Sequence, residues 1–202
     1  MPAPSSAESP SLAQSLHFWA RNASNESALL QASLRVGLFD TLPVEGGGEP
    51  MTVARLAEVL GVSARGVRSL LELLVCLGLA RMDDARRYCL APATAALLRD
   101  TRLRERLQAE LPWWHPLGLL DEAVKRGEPV EHGGRRWDVL GHYRELFLAP
   151  PPPATSAGEE DFFDRFARSA ARTQLLITVG RLGVLELLAA APRTLPELGA
   201  AT

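Results

Sequence analysis

Cysteine is nearly absent from this chain: 202 residues hold two, Cys76 and Cys89. Their spacing fits neither a disulfide framework nor a metal-ligand set, which points to a reducing cytoplasm. An excess of positive charge is also missing. Lys and Arg number 22 against 24 Asp and Glu, giving a formal charge of −2 and a pI near 6.1. The basic domain that a nucleic-acid binder advertises is therefore lacking. No uncharged apolar run approaches the length of a membrane span. The opening "MPAPSSAESPS" has neither the basic nor the apolar region of a secretory signal. No serine sits in a nucleophile elbow, and no histidines and acids share metal-site spacing. Neither a catalytic residue nor a metal site is assigned, and Cys76, with no base beside it, reads as an inert thiol.

What is present is ordinary globular composition, 47% hydrophobic and 23% charged, with Ala and Leu abundant enough to favour helices. The length suffices for one or two small domains. Residues 1–10, rich in Pro, Ser and Ala, read as disordered. Ser11 to Ser24 reads as a short helix with Leu12, Leu16 and Trp19 on one face. That face needs a cover, either its own chain or a second copy.

The chain is organised around residues 29–98. Ser27 to Leu42 is expected as a helix on which Leu30, Leu34 and Leu38 repeat at four, with Gly37 allowing close approach. Pro43 to Pro50 ("PVEGGGEP") reads as a flexible break. Thr52 caps a short helix through Leu56 and Leu60, Gly61 stops it, and Ser63 caps a third helix from Ala64 to about Leu77. A charged hairpin from Arg81 to Leu90 follows. This is the pattern of a mainly α winged helix-turn-helix with a short β-hairpin wing and additional helices.

The third helix stands where a DNA-reading helix would. Its apolar residues, Val67, Leu70, Leu71, Leu73, Leu74, Val75 and Leu77, cover roughly 200° of its circumference. One docked face needs little more than about 100°, so burial from two sides is expected. Glu72, on the polar side, would repel phosphates. The unit therefore presents its hydrophobic surface to protein, and Leu30, Leu34, Leu70, Leu74 and Leu77 join Leu12, Leu16 and Trp19 as candidates for a dimer interface.

Further helices follow. Pro92 opens one bearing Ala95, Leu97 and Leu98; a charged one turns Leu103 and Leu107 inward. A third begins near Pro112 with Trp113, Leu117, Leu120 and Val124 near one face, from which Trp114 and His115 diverge. It ends at Gly127 and Pro129. Arg135 to Ala149 reads as a helix centred on Trp137, Leu140 and Leu146. Residues 150–158 read as a proline-rich linker. The last region starts as a strong helix with Phe162, Phe163 and Phe166 on its apolar side, with Gly180 and Gly183 as candidate breaks. The expected division is 1–10, a winged unit at 11–99, a cap region at 100–149, the linker, and 159–202.

An internal echo closes the chain. "LLITVGRLGVLELL" at 175–188 aligns with "LLQASLRVGLFDTL" at 29–42, and Thr194 and Leu198 align with Thr52 and Leu56. The end therefore reads as the start of a second copy of the core unit, which could not close a winged-helix core alone. Either the chain is a piece of a longer polypeptide or the tail completes a core elsewhere.

The segments "ALLQASLRVGLFDTL" and "MTVARLAEVLGVSARGVRSLLELLVCLGLARMDDARRYCLAPATAALL" resemble the N-terminal dimerisation domain of small-molecule S-adenosylmethionine-dependent O-methyltransferases. The pieces that carry the likeness are Gly37-Leu38-Phe39, Thr52 with Leu56-Ala57, Leu70-Leu71 with Leu74, Gly78-Leu79 and Tyr88 with Leu90-Ala91-Pro92. Weaker likeness continues through Trp113-Trp114, Gly127-Glu128-Pro129 and Phe163 with Phe166-Ala167, covering about residues 11–175. The resemblance implies a homodimer and helices that cap a substrate pocket. It implies that the first helix, with His17 and Phe18, reaches toward the partner's pocket. Trp113, Trp114, His115, Trp137, Tyr143, Phe163 and Phe166 complete the pocket candidates, an apolar wall suited to a flat aromatic or polyketide-like molecule. His132 and His142 read as loop and surface residues.

The chain departs from the family where a Rossmann-like domain should open with a strand and a "D-x-G-x-G" turn. Gly180-Arg181-Leu182-Gly183 has the wrong spacing and no buried strand before it. No cofactor is expected on this chain. S-adenosylmethionine enters only with a catalytic domain in the same or another polypeptide. Two other readings stand beside a non-catalytic dimerisation and substrate-cap module. One is a winged-helix regulator using Arg65, Arg68, Arg81, Arg86 and Arg87 on DNA. The other is a cofactor-free cyclase or lyase using His115 or Glu110.

Overall fold

Helix α1 (Ser24–Arg35) runs down the middle of the computed structural model, which describes residues 24–153 and 155–201. The expected disordered start and the helix carrying Leu12, Leu16, His17, Phe18 and Trp19 lie outside the described residues. The helix expected to run from Ser27 to Leu42 is broken. Gly37 adopts φ 75°, a left-handed conformation that ends α1 and starts α2 (Leu38–Thr41). Thr41 Oγ1 donates to the Gly37 carbonyl at 2.9 Å and fixes the new direction.

Thr52 caps α3 (Val53–Leu60) by accepting from Arg55 N–H, and Gly61 ends it at φ 65°. Ser63 caps α4 (Ala64–Cys76) by accepting from Gly66 N–H. The wing is β1 (Ala80–Met82) antiparallel to β2 (Tyr88–Leu90). The segment read as a flexible break is tied down at both ends. Pro43 and Glu45 exchange hydrogen bonds with Leu90, and Met51 does so with Tyr88. β2 thus lies between β1 and this loop, which is why all three of its residues are buried. Burial pushes the Cys89 thiol up from its ordinary range.

The following helices are α5 (Pro92–Arg99) and α6 (Thr101–Glu110), with Leu103 and Leu107 inward as expected. Two 3₁₀ turns (Leu111–Trp114 and Pro116–Leu119) lead into α7 (Leu120–Arg126). A second hairpin, β3 (Val130–His132) and β4 (Arg135–Trp137), replaces the first turn of the helix expected from Arg135. Gly133 and Gly134 both have positive φ, the requirement of a two-residue hairpin turn. Helix α8 (Val139–Leu148) begins only where the Asp138 carboxylate accepts from Gly141 N–H at 2.9 Å.

Ser156 and Glu159 form a capping box that opens α9 (Ala157–Phe163). A π-helical turn (Asp164–Arg168) joins it to α10 (Ser169–Arg181). Of the two glycines expected to break this helix, it is Gly183 that takes the left-handed conformation, at φ 67°. Helices α11 (Val184–Ala190) and α12 (Leu195–Ala201) finish the fold.

One cluster of buried apolar side chains runs from Leu29 to Ala171, so the winged unit and the helices after it share a core. α1 joins the two parts. Its Leu30 and Leu34 are buried in that core, its Ser27 hydroxyl donates to the Phe166 carbonyl, and Glu26 pairs with Arg165 at 3.1 Å. No single helix among the described residues is long and apolar enough to cross a membrane.

Candidate functional site

Trp113, Trp114 and His115 lie at the junction of the two 3₁₀ turns, where consecutive side chains point far apart. Trp113 turns toward α8 and β4. It stacks on His142 with ring centroids 3.8 Å apart and an interplanar angle of 1°, and meets Trp137 edge-on at 4.9 Å. Trp114 and His115 turn the other way, toward α1 and α10, although the His115 ring also lies 5.8 Å from that of His132, which was expected in a loop and ends β3. There they border a hollow of about 420 Å³ with Ala170, Thr173, Gln174 and Ile177. They also border a groove of about 300 Å³ along Ala28, Gln31, Ala32 and Arg35.

The groove has an unusual polar wall. Gln31 is 5% exposed; its amide N–H is 3.3 Å from Ser27 Oγ, whose own proton goes to the Phe166 carbonyl. That network fixes the amide orientation and leaves Gln31 Oε1 with no hydrogen-bond partner among the described residues. A buried acceptor without a donor is costly, and a ligand or water with a donor group would relieve it.

The expected aromatic wall is thus divided. Trp113 and Trp137 cluster on one side of the turn, and Trp114 and His115 on the other. Tyr143 is buried, donates to the Ala171 carbonyl at 3.1 Å, and has its phenol pushed up by burial. Phe166 is in the core, 1% exposed. Phe163 lies under two guanidinium groups, with Arg106 at 4.0 Å and Arg168 at 5.3 Å from its ring centroid.

His142 corrects the reading of a surface histidine. It is 6% exposed, and its Nε2 is 2.9 Å from Glu110 Oε2. It shares a buried face of α8 with Val139, Tyr143 and Leu146, the i, i+3, i+4, i+7 pattern of an inward stripe. That pattern was the available signal; its acidic partner, on α6, was not visible locally. The pair borders a hollow of about 240 Å³ that Pro150, Pro151, Pro152, Phe163 and Arg168 also line. The proline stretch is therefore a wall as well as a connection.

Behind it, Glu160 holds Arg106 at 2.9 Å and Arg168 at 3.1 Å. Burial on its own would raise the Glu160 carboxyl, but the hydrogen bonds and charges of the two arginines outweigh it and hold the group below the usual range. Among the described residues no cluster of three or more His, Cys, Asp or Glu is placed to hold a metal ion.

The winged unit has its own surface logic. Two of its wing arginines face acids: Arg87 pairs with Asp83 at 2.8 Å and Glu49 at 3.2 Å, and Arg81 approaches Glu45 at 4.0 Å. The Arg87 backbone N–H, with its guanidinium, holds the Asp83 carboxyl below its ordinary range. On α4 the inner strip of Val67, Leu71 and Leu74 is buried, whereas Leu70 and Leu77 are half-buried and Leu73 is 52% exposed. Of the interface candidates, Leu30, Leu34 and Leu74 therefore fill the chain's own core, and the open apolar strip is Leu70, Leu73 and Leu77.

Residues 21–100, the stretch that runs from α1 through α5, match the family model of the O-methyltransferase dimerisation domain. No curated protein matches the chain.

Proposed function

We propose that this O-methyltransferase dimerisation domain and the helices packed on it form a non-catalytic homodimerisation and substrate-cap module. It would belong to a methyltransferase-like protein of small-molecule, secondary-metabolite biosynthesis. The observation that carries the reading is the second apolar strip of α4, left open after the first has filled the core, on a unit where two of the wing arginines, Arg81 and Arg87, are already held by acids. A helix that met DNA would present cations there; one that meets protein presents leucines.

The cap role is supported by the hollow and groove at Trp114 and His115, of the size of a small-molecule site. A flat aromatic or polyketide-like molecule with a donor group would stack on Trp114 and satisfy Gln31 Oε1. S-adenosylmethionine and the general base would come from a catalytic domain in the same or another polypeptide.

Sedimentation velocity tests the association: a dimer at micromolar concentration is expected, and a monomer up to about 100 µM would overturn it. Titration with a planar hydroxylated polyketide, followed by tryptophan fluorescence, tests the cap. Quenching that Trp114→Leu abolishes and Trp113→Leu retains is expected; equal loss in both would place the ligand elsewhere. Affinity for duplex DNA falling steeply with salt would favour a regulator instead.

A further inference from the structure

The hollow of about 240 Å³ behind the proline stretch is used by neither the dimer nor the cap, and it is chemically two-ended. Arg106 and Glu110 both line it and stand four apart on α6, one turn or about 5.4 Å along the axis. Opposite charges at that spacing commonly pair. Here each is drawn away by a different partner, Arg106 by Glu160 at 2.9 Å and Glu110 by His142 at 2.9 Å. A cation and an anion therefore border the same hollow without neutralising each other.

Each end keeps hydrogen-bonding capacity. A guanidinium has five N–H donors, and among the described residues Arg106 donates only from Nη1, to Glu160. Arg168, which also lines the hollow, gives Nε to the Leu146 carbonyl and Nη1 to Glu160, so one carboxylate faces two guanidinium groups. At the other end Glu110 Oε2 meets His142 Nε2, and Oε1 has no partner among the described residues. His142 is pinned by its stack on Trp113, so the pair is fixed in place. Glu145, 82% exposed, borders the hollow from the solvent side, where water screens its charge. Between the two ends the surface is apolar. Leu146 and Phe163 contribute to it, and Pro150, Pro151 and Pro152 add a wall preformed by their fixed φ.

We propose that this hollow binds a small aromatic hydroxy acid, with its carboxylate on Arg106 and Arg168, its ring along the proline wall and its hydroxyl donating to Glu110 Oε1. An arginine fork suits a carboxylate, and a para-substituted ring sets its two polar ends about one helical turn apart. The volume is below that of a drug-sized site, which selects a single-ring acid over a polyketide. The site is separate from the hollow and groove at Trp114 and His115, and the inference does not rest on the dimer or the cap.

The probe is 4-hydroxybenzoate, titrated into the full chain by calorimetry. Saturable binding at millimolar concentration or below is expected, and its absence up to about 10 mM overturns the inference. Benzoate lacks the hydroxyl and 4-hydroxybenzyl alcohol lacks the carboxylate. Each should bind more weakly by about tenfold or more, and either one binding as well as the acid overturns the inference. Ala109→Phe, at an exposed lining position, should block the hollow without touching its charged groups. Arg106→Lys keeps the charge beside Glu160 but loses the fork, and should weaken the acid by about tenfold. Circular dichroism checks that both variants fold; should Arg106→Lys fail, Ala109→Phe decides alone. Trp114→Leu, on the far side of the turn, should leave the affinity within about twofold. Unchanged affinity in Ala109→Phe overturns the inference, and so does binding lost in Trp114→Leu but kept in Ala109→Phe, which would put the acid in the cap hollow.

Discussion

Replacing Glu160 by Gln removes the one anion shared by Arg106 and Arg168 while keeping the shape of the side chain. The three side chains are 23%, 21% and 17% exposed, so the triad is mostly but not wholly out of water. Arg168 keeps the Leu146 carbonyl at 2.6 Å and the Asp164 carboxylate at 3.8 Å. Arg106 keeps the face of Phe163. The expected cost is therefore about 2–3 kcal/mol, below the roughly 3–5 kcal/mol of breaking a fully buried pair and above the roughly 1 kcal/mol of a surface one. For a chain of this size that lowers Tm by about 4–12 °C.

The same group gives the effect a pH signature. Its folded-state carboxyl lies below its ordinary value of 4.5, so its contribution is complete above that value and disappears as pH falls through the folded one. Urea unfolding followed by tryptophan fluorescence should show a constant gap between wild type and Glu160→Gln from pH 7 to about 5, closing in more acid solution. Glu145→Gln, on a side chain 82% exposed, is the control and should stay within about 0.5 kcal/mol. A Glu160→Gln protein as stable as the control at pH 7, or a gap that does not narrow in acid, would refute the reasoning.

His142→Phe keeps a ring against Trp113 but strands the Glu110 carboxylate, whose side chain is 12% exposed, and should cost about 1–3 kcal/mol in urea unfolding. Adding Glu110→Leu should recover part of that loss. Leu71→Ala, at a fully buried site, should cost about 2–5 kcal/mol, and Val59→Ala, at a site 50% exposed, less than about 0.5 kcal/mol. Gly37→Ala should cost about 1–2 kcal/mol in thermal unfolding through its left-handed backbone alone, because the added carbon meets nothing nearer than Leu60 at 3.9 Å.

The elements whose signals are local were legible in the sequence. Thr52, Gly61 and Ser63 mark the boundaries of α3 and α4 because caps and left-handed stops involve residues within one turn. Trp114 and His115 do diverge from Trp113, but across two 3₁₀ turns rather than along the helix expected from Pro112, which begins only at Leu120. The β3–β4 hairpin was missed although Gly133-Gly134 between Val130 and Trp137 carried its turn signal. Helical periodicity around Leu140 and Leu146 masked it. What no local pattern could supply were contacts across the fold: Glu110 to His142, Glu160 to Arg106, and the pairing of Pro43 and Met51 with β2. These depend on where α6, α8 and the wing come to rest, and they decide which side of the Trp113-Trp114 turn faces a cavity.

Burial of α1 also narrows how this protein can associate. Leu30 and Leu34 fill the winged core, and Ser27 and Gln31 sit against the π-turn and α10, so α1 is covered in its own chain along both sides. The exposed large apolar side chains fall instead into two main groups. Val59, Val62, Leu73 and Met82 lie on the winged unit, and Leu175, Ile177, Leu185, Leu188 and Leu195 on the last three helices. Water contact costs each of these surfaces free energy in proportion to its apolar area. α1 thereby takes Leu30 and Leu34 out of the set of interface candidates and leaves Leu70 and Leu77, with Leu73 beside them, on the open side of α4.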